Sequence, residues 1–279
     1  MKLATYRDGG VAKTGIIVGD QLIDTGLSQS MIALIADWTN LRPKLEAAAA
    51  SGSSSPLDPA NLCAPVPRPG KIFAIGLNYA DHIAESKVET PKDQIWFAKA
   101  STSANGPYDP ILVGRTGPYV DYEAELVVVI GKAGKHIPAD RAHEHVFGYC
   151  VGNDVTERSW QHRTHQWTLG KSFDTHGPFG PWITTSDEVS DPHALDIQCL
   201  VNGDVRQASN TRHLVFNVWE QIAHLSQAMT LEAGDVIFTG TPGGIGAAMK
   251  PPKFLKAGDV LRTEIAGLGV LEATLEAEA

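Results

Sequence analysis

The sequence predicts an α+β protein, and three observations lead there. Strand-like segments outnumber helical ones, they do not alternate regularly with helices, and one Ser/Pro-rich stretch divides the chain. Lys2–Tyr6, Gly15–Val18 and Gln21–Asp24 are short strand patterns, separated by turns at Asp8-Gly9-Gly10 and Gly19-Asp20. Residues 30–50 place Met31, Leu34, Ile35 and Trp38 at helical spacing and end alanine-rich, which predicts one helix. From Ser51-Gly-Ser-Ser-Ser-Pro56 to Pro65-Val-Pro-Arg-Pro69 the composition is that of a linker. The expected division is a small β/α N-terminal domain with its linker at 1–66, and a larger domain at 67–279.

The larger domain opens with a strand, Lys71–Gly76, followed by Leu77-Asn-Tyr-Ala-Asp-His-Ile-Ala-Glu85 and a polar segment, 86–94, suited to a mobile surface loop. Trp96–Lys99 is extended again. Leu126–Ile130 is apolar and β-branched, the signature of a buried strand, and His145–Val155 is a second such run. Asn202-Gly203 supplies the positive φ angles of a tight hairpin inside Cys199–Arg206. Leu214, Val218, Ile222, Leu225 and Met229 trace the apolar face of a helix. Ala233-Gly-Asp-Val236 and Ala257-Gly-Asp-Val260 each set a turn before a strand.

Composition narrows the function. Apolar residues at 43% suffice for a sizeable core, and a net charge of −9 argues against nucleic-acid or anionic-membrane partners, which want a basic face. Cys63, Cys150 and Cys199 show no metal-type spacing, so reduced thiols in a cytoplasmic protein are expected. The N-terminus lacks the apolar core of a signal peptide, and no stretch is long and apolar enough for a membrane helix.

The chemistry gathers around the strand 126–130. Glu123 and Glu125 stand at its head, two residues apart and so on one face of extended chain. Adjacent anions entering a buried strand repel and lose hydration, so they need a shared proton, Lys or Arg partners, or a cation. Asp154 ends the neighbouring run. If it meets the two glutamates, a hard divalent cation is the natural counter-charge, and oxygen ligands suit Mg²⁺ or Mn²⁺ better than Zn²⁺. His82 and Glu85, three apart, share a helix face, where a carboxylate can orient an imidazole as general base. Lys99, Arg158, Gln161 and Lys171 are candidate binders of anions and carbonyls, with Lys171 in a notably apolar setting. Gly240-Thr-Pro-Gly-Gly-Ile-Gly246 fits no phosphate-loop pattern, and Pro251-Pro252 stops any long helix after it. Its glycines read as a place where backbone N–H groups approach a small ligand. His143-Glu-His145 and His162-Arg-Thr-His165 lack a third ligand and read as surface residues.

Taken together, Gly76–Glu85, Asp121-Tyr-Glu-Ala-Glu125, Gly152-Asn-Asp-Val155 and Thr239–Gly246 resemble the fumarylacetoacetate hydrolase family, in order from about Pro65 onward. The resemblance implies a mixed β-sheet roll or barrel after a small N-terminal domain, in a homodimer. It makes Glu123, Glu125 and Asp154 ligands of a divalent metal, with Mg²⁺ the first choice and Mn²⁺ or Ca²⁺ also compatible. His82 and Glu85 become a catalytic pair on a lid. Lys171 becomes a catalytic cation, and Lys99, Arg158, Gln161 and Thr241 bind substrate. Leu77 departs from the Arg that the family's acylpyruvases often carry. The expected activity is metal-dependent hydrolysis of a carbon–carbon bond in a 2,4-diketo acid, an acylpyruvate such as fumarylpyruvate or a diketo-deoxy sugar acid. Oxaloacetate decarboxylation and hydratase or lyase chemistry on 2-keto-enoic acids are the alternatives, all with a small keto acid as partner.

Overall fold

The structure is a computed structural model that describes residues 1–86 and 89–279. Lys87 and Val88, inside the expected lid, lie outside the described residues.

The chain begins with a meander, β1 (Lys2–Asp8), β2 (Val11–Val18) and β3 (Gln21–Asp24). Helices α1 (Met31–Ala36) and α2 (Trp38–Ser51) follow, and β4 (Ser54–Pro56) returns to pair with β3. The single helix expected here is two. Ser30 Oγ caps α1, whose C-cap Asp37 returns its N–H to Ala33 O at φ −108°. The break lets Met31, Leu34 and Ile35 of α1 and Leu41 and Leu45 of α2 all reach the core.

Then come β5 (Ile72–Gly76), α3 (Ala80–Ser86), β6 (Ile95–Lys99), β7 (Ala104–Asn105), β8 (Ile111–Val113) and β9 (Val120–Asp121). They lead into β10 (Ala124–Ile130), β11 (Val146–Asn153), β12 (Thr156–Glu157), α4 (Arg158–Gln161) and β13 (Gly177–Thr185). The last elements are β14 (Asp196–Val201), β15 (Asp204–Asn210), α5 (Val218–Ala228), β16 (Val236–Phe238), β17 (Val260–Ile265) and β18 (Gly269–Ala277).

One sheet runs β4-β3-β2-β1-β13-β11-β10-β16-β5-β6, with β7 alongside β13; a second runs β15-β14-β17-β18-β8, and β9 pairs with β12. Both larger sheets are mixed, since β16–β5 and β18–β8 are parallel while most pairs are antiparallel. This is the α+β roll expected. β1 pairs with β13 at Leu3↔Ile183, so one sheet is continuous through both parts of the chain.

Position decides why β10 is uninterrupted in its apolarity. Leu126, Val128 and Ile130 face one core cluster, and Val127 and Val129 face the other. A strand covered on both faces has no polar side to present, which suppresses the alternation seen in half-exposed strands. Five fully buried side chains supply on the order of 10 kcal/mol of gross burial energy, enough to hold a costly group at the strand's head. The hairpin at Asn202 and Gly203 has φ +53° and +83°, and α5 starts on an Asn217–Glu220 capping box, both as the residues demand. Among the described residues no helix is long and apolar enough to cross a membrane.

Candidate active site

The costly group is at the start of β10. In the β10–β11 ladder Ala124 faces Asn153, so Glu123 stands opposite Asp154, whose N–H donates to Glu123 O at 2.8 Å. The Asn153 side chain fixes the turn from the other side, its Oδ1 accepting from Glu123 N at 2.9 Å. Glu123, Glu125 and Asp154 are all buried, and one oxygen from each lies within 4.8 Å of the others. The pleat thus does what the two-residue spacing required, and the ladder brings in the third acid.

Three buried cations answer them. Lys171 Nζ sits 2.7 Å from Glu123 Oε2 and 2.6 Å from Asp154 Oδ2. Lys99 Nζ lies 2.7 Å from Asp154 Oδ1 and also donates to Lys171 O. Arg158 Nη2 pairs with Glu123 Oε1 and Asp121 Oδ2, each at 2.7 Å. Glu125 has no cationic partner among the described residues, and accepts only from the Gly240 N–H, at 2.6 Å. Its carboxyl is accordingly pushed well above the usual range, by burial first and then by Asp154 and Glu123. Burial also raises Glu123, but Lys171 and Arg158 outweigh it and leave that carboxyl below its ordinary value. Burial pushes Lys99 down, whereas for Lys171 the two acids overcome burial and hold the ammonium charged.

Counting Asp121, four buried carboxylates face three buried cations. The cluster is one positive charge short, and the shortfall falls on Glu125. A divalent cation among Glu123, Glu125 and Asp154 removes it and turns the local charge from −1 to +1, the sign that attracts an acid. All-oxygen donors match Mg²⁺ or Mn²⁺. These residues fit a hard divalent metal.

Beside the acids lies a cavity of about 200 Å³. Its polar wall holds His82, Glu123, Arg158, Gln161, Lys171 and Thr241, and its apolar wall Leu77, Phe97, Trp167 and Ile245. Lys171 Nζ sits 4.8 Å from the Phe97 ring centroid, which accounts for a buried lysine in apolar sequence. His82 lies on α3, and burial lowers its imidazole toward the neutral form, with Nδ1 buried and unpartnered. Its Nδ1 is 3.8 Å from Glu85 Oε2, beyond hydrogen-bond reach. Glu85 Oε2 instead accepts the Gly244 N–H at 2.8 Å. Leu77, just before α3, has φ +53°, a strained value for a branched side chain and one that turns the chain into the cavity wall.

The glycine loop differs from expectation. Its N–H groups are taken by the site's own acids: Gly240 by Glu125, Gly244 by Glu85, and Gly246 and Ala247 by Asp121. Gly240 at φ +105° and Gly244 at φ +100° hold the required bends, and a Cβ on Gly246 would meet Lys253 O at 2.0 Å. The loop is a frame for carboxylates, with Thr241 and Ile245 as its side chains on the cavity.

His82, Glu123, Arg158, Gln161, Lys171 and Thr241 thus line one space; Lys99, Glu125 and Asp154 lie directly behind it, and Glu85 is tied to the glycine loop. Three contributors escaped sequence reasoning. Asp121 is the partner of Arg158 and the glycine loop, Gln207 holds Thr241, and His162, exposed as expected of its histidine cluster, also lines the cavity. His162 stands four residues after Arg158, a helical spacing that could have signalled it. A larger cavity of about 530 Å³ opens at the opposite end of β10, around Trp38, Lys132 and Phe147, away from the acid cluster.

Fold and cluster together define a class, an α+β protein whose three buried carboxylates could hold a divalent cation beside a small cavity lined by Arg158 and Lys171. The chain belongs to the fumarylacetoacetate hydrolase family: residues 71–276 match the family described as Fumarylacetoacetate (FAA) hydrolase C-terminal. It is 45% identical over 259 residues to oxaloacetate tautomerase Fahd2a, mitochondrial, of Rattus norvegicus, covering 92% of this chain and 83% of that protein. Among solved structures it is similar to fumarylacetoacetate hydrolase from psychrophilic Exiguobacterium antarcticum, at TM-score 0.89 and 36% identity over the whole of both chains. It is also similar to maleylpyruvate hydrolase from Sphingobium sp. SYK-6, a complex with manganese(II) ion and pyruvate, at TM-score 0.85 and 35% identity over both full chains.

Proposed function

We propose that this protein is a metal-dependent enzyme that interconverts the keto and enol forms of a short 2-oxo dicarboxylate of the oxaloacetate class. The observation that carries this reading is a neutral, buried His82 and a charged Lys171 lining one 200 Å³ cavity beside the three carboxylates. The tautomerase relative, at 45% identity, supports it. Glu123, Glu125 and Asp154 would hold the divalent cation, Mg²⁺ or Mn²⁺, whose Lewis acidity polarises the substrate carbonyl when bound. His82 accepts a proton from the methylene carbon between the ketone and the distal carboxylate. The C–H electron pair forms the new C=C bond, and the C=O π pair moves onto oxygen, which gains charge and becomes the enol hydroxyl by taking a proton from water. Lys171 offsets that charge through its ammonium. Arg158, Gln161 and Thr241 hold the carboxylates, and Lys99 keeps Asp154 and Lys171 in place. Ketonisation runs the same steps backwards, with His82 returning the proton to carbon.

Carbon–carbon hydrolysis of a 2,4-diketo acid is the second reading, favoured by His82 and Glu85 on one short helix at the cavity edge and by the maleylpyruvate hydrolase likeness. Hydrolysis needs that pair to activate a water. Tautomerisation needs the imidazole alone, and with the pair 3.8 Å apart it ranks first. The same proposal makes the protein a cytoplasmic homodimer acting on a small anion, with 1–66 and 67–279 as its two domains.

A substrate panel with Mg²⁺ and Mn²⁺ tests the assignment. Oxaloacetate enol absorbance, pyruvate release from fumarylpyruvate and CO₂ release from oxaloacetate are followed on one preparation. Faster loss of enol without CO₂ is expected. Pyruvate release with no effect on the enol would transfer the assignment to hydrolysis, and CO₂ release to decarboxylation.

A further inference from the structure

Gln207, on β15, is buried and touches no ligand cavity, yet its amide reaches three groups. Its oxygen accepts the Ala124 N–H at 2.9 Å, and its nitrogen donates to Thr241 Oγ1 and to Pro242 O, both at 2.8 Å. Chemistry fixes this orientation. A backbone N–H only donates, so Oε1 must face Ala124, and a backbone carbonyl only accepts, so Nε2 must face Pro242. Thr241 Oγ1 is therefore an acceptor toward Gln207. No other partner for the hydroxyl occurs among the described residues, so its hydrogen is free to point into the cavity it lines.

The same logic applies to another part of the cavity lining. Arg158 Nη1 donates to Gln161 Oε1 at 2.9 Å, and a guanidinium cannot accept, so Gln161 turns its NH₂ outward from that pair. Thr241 and Gln161 thus each keep a donor that no other described residue takes, on the cavity that both line, and such donors pair with a group made only of acceptors. We propose that Gln207 is a positioning residue that fixes Thr241 as a hydrogen-bond donor and that Thr241, with Gln161, forms the donor pole for the substrate's second carboxylate. This rests on the oxo-dicarboxylate reading above and says which groups select a diacid over a monoacid.

The test uses full-length protein with Mn²⁺. Thr241→Val removes the hydroxyl at constant shape, and Thr241→Ser keeps it. In Gln207→Glu one oxygen still accepts from Ala124, and the other becomes an acceptor toward Thr241, turning the hydroxyl hydrogen away from the cavity and leaving Pro242 O without its donor. Thr241→Val and Gln207→Glu should each raise KM for oxaloacetate roughly tenfold or more, the scale of a hydrogen bond to a charged group, with a smaller change in kcat. Thr241→Ser should stay near wild type. In the Thr241→Val background, Gln207→Glu should add no more than about a twofold effect, because one interaction is lost only once.

Calorimetry with two unreactive acids separates this from the reaction assignment. Wild type should bind malate more tightly than lactate, which lacks the second carboxylate, and Thr241→Val should lose that preference. If oxaloacetate is not turned over, the reaction fails while the malate preference still tests the donor pole. Multiplying penalties in the double variant, a Thr241→Val enzyme with unchanged KM, or equal binding of malate and lactate would each overturn it. Gln207→Met, of similar shape, replaces Gln207→Glu if that variant does not fold.

Discussion

Asp121→Asn puts the framework of the site to a quantitative test. Asp121 is fully buried, and every polar neighbour it has is a donor. Its Oδ1 accepts from Gly246 N at 2.7 Å and Tyr122 N at 2.9 Å, and its Oδ2 from Ala247 N at 3.0 Å and Arg158 Nε at 2.9 Å. Arg158 Nη2 adds an ion pair at 2.7 Å. An asparagine has one acceptor where the aspartate has two. Either orientation sets its NH₂ against at least two N–H donors, and Arg158 loses half of its buried negative partnership. Breaking a buried, hydrogen-bonded ion pair costs about 3–5 kcal/mol, a large share of the roughly 5–15 kcal/mol that holds a typical protein folded. For a chain of this size that is a fall in Tm on the order of 10 °C. Urea unfolding at neutral pH, read by tryptophan fluorescence and circular dichroism together, gives the value. The glycine loop loses one of its two Asp121 anchors in the same variant, so KM for the keto acid should rise as well. A loss below about 1 kcal/mol, the scale of an exposed ion pair, would refute the view that Asp121 ties β10, α4 and the loop into one unit.

Other consequences are open to direct measurement. Glu125→Gln should abolish most of the thermal stabilisation given by Mg²⁺ or Mn²⁺, which reaches about 2.7 kcal/mol at a hundredfold excess over Kd; an unchanged metal-induced Tm shift would exclude Glu125 as a ligand. His82→Ala should lower kcat by roughly 10²-fold or more, and Glu85→Gln should lower hydrolysis of a diketo acid more than tautomerisation; equal losses would argue against a separate water-activating role for the pair. His176, stacked on Phe173 and fully buried, has its imidazole pushed down to about 4, chiefly by burial. Its folded value lies below the unfolded one near 6.5, so the unfolded chain binds the proton first. Stability is then complete above about pH 6.5 and falls through the window down to about pH 4, with a loss of about 1 kcal/mol by pH 5.5. Comparing urea midpoints at pH 7.5 and 5.5 checks this, and His176→Leu should flatten the difference; the same slope in the variant would assign it to other groups.

Much of this protein is determined by sequence alone, and the reason is local. The uninterrupted Leu126–Ile130 run requires a strand covered on both faces, and the structure packs its alternate residues into two cores. Asn202-Gly203 requires a tight hairpin and Asn217 a helix start, because backbone conformation there depends on the residues themselves. The two-residue spacing likewise obliges Glu123 and Glu125 to share a face. Where the sequence predicts one helix across residues 30–50, packing divides it at Asp37, since two short helices bring both apolar stripes to the sheet. Tertiary structure alone decided which charges meet. Nothing near Lys171 in sequence announces that its ammonium will sit between Glu123 and Asp154, and nothing near Asp121 or Gln207 announces what they hold. Those pairings span 17 to 125 positions. Electrostatic balance in a buried cluster depends on distance in space, and chain connectivity leaves that distance free until the sheets close.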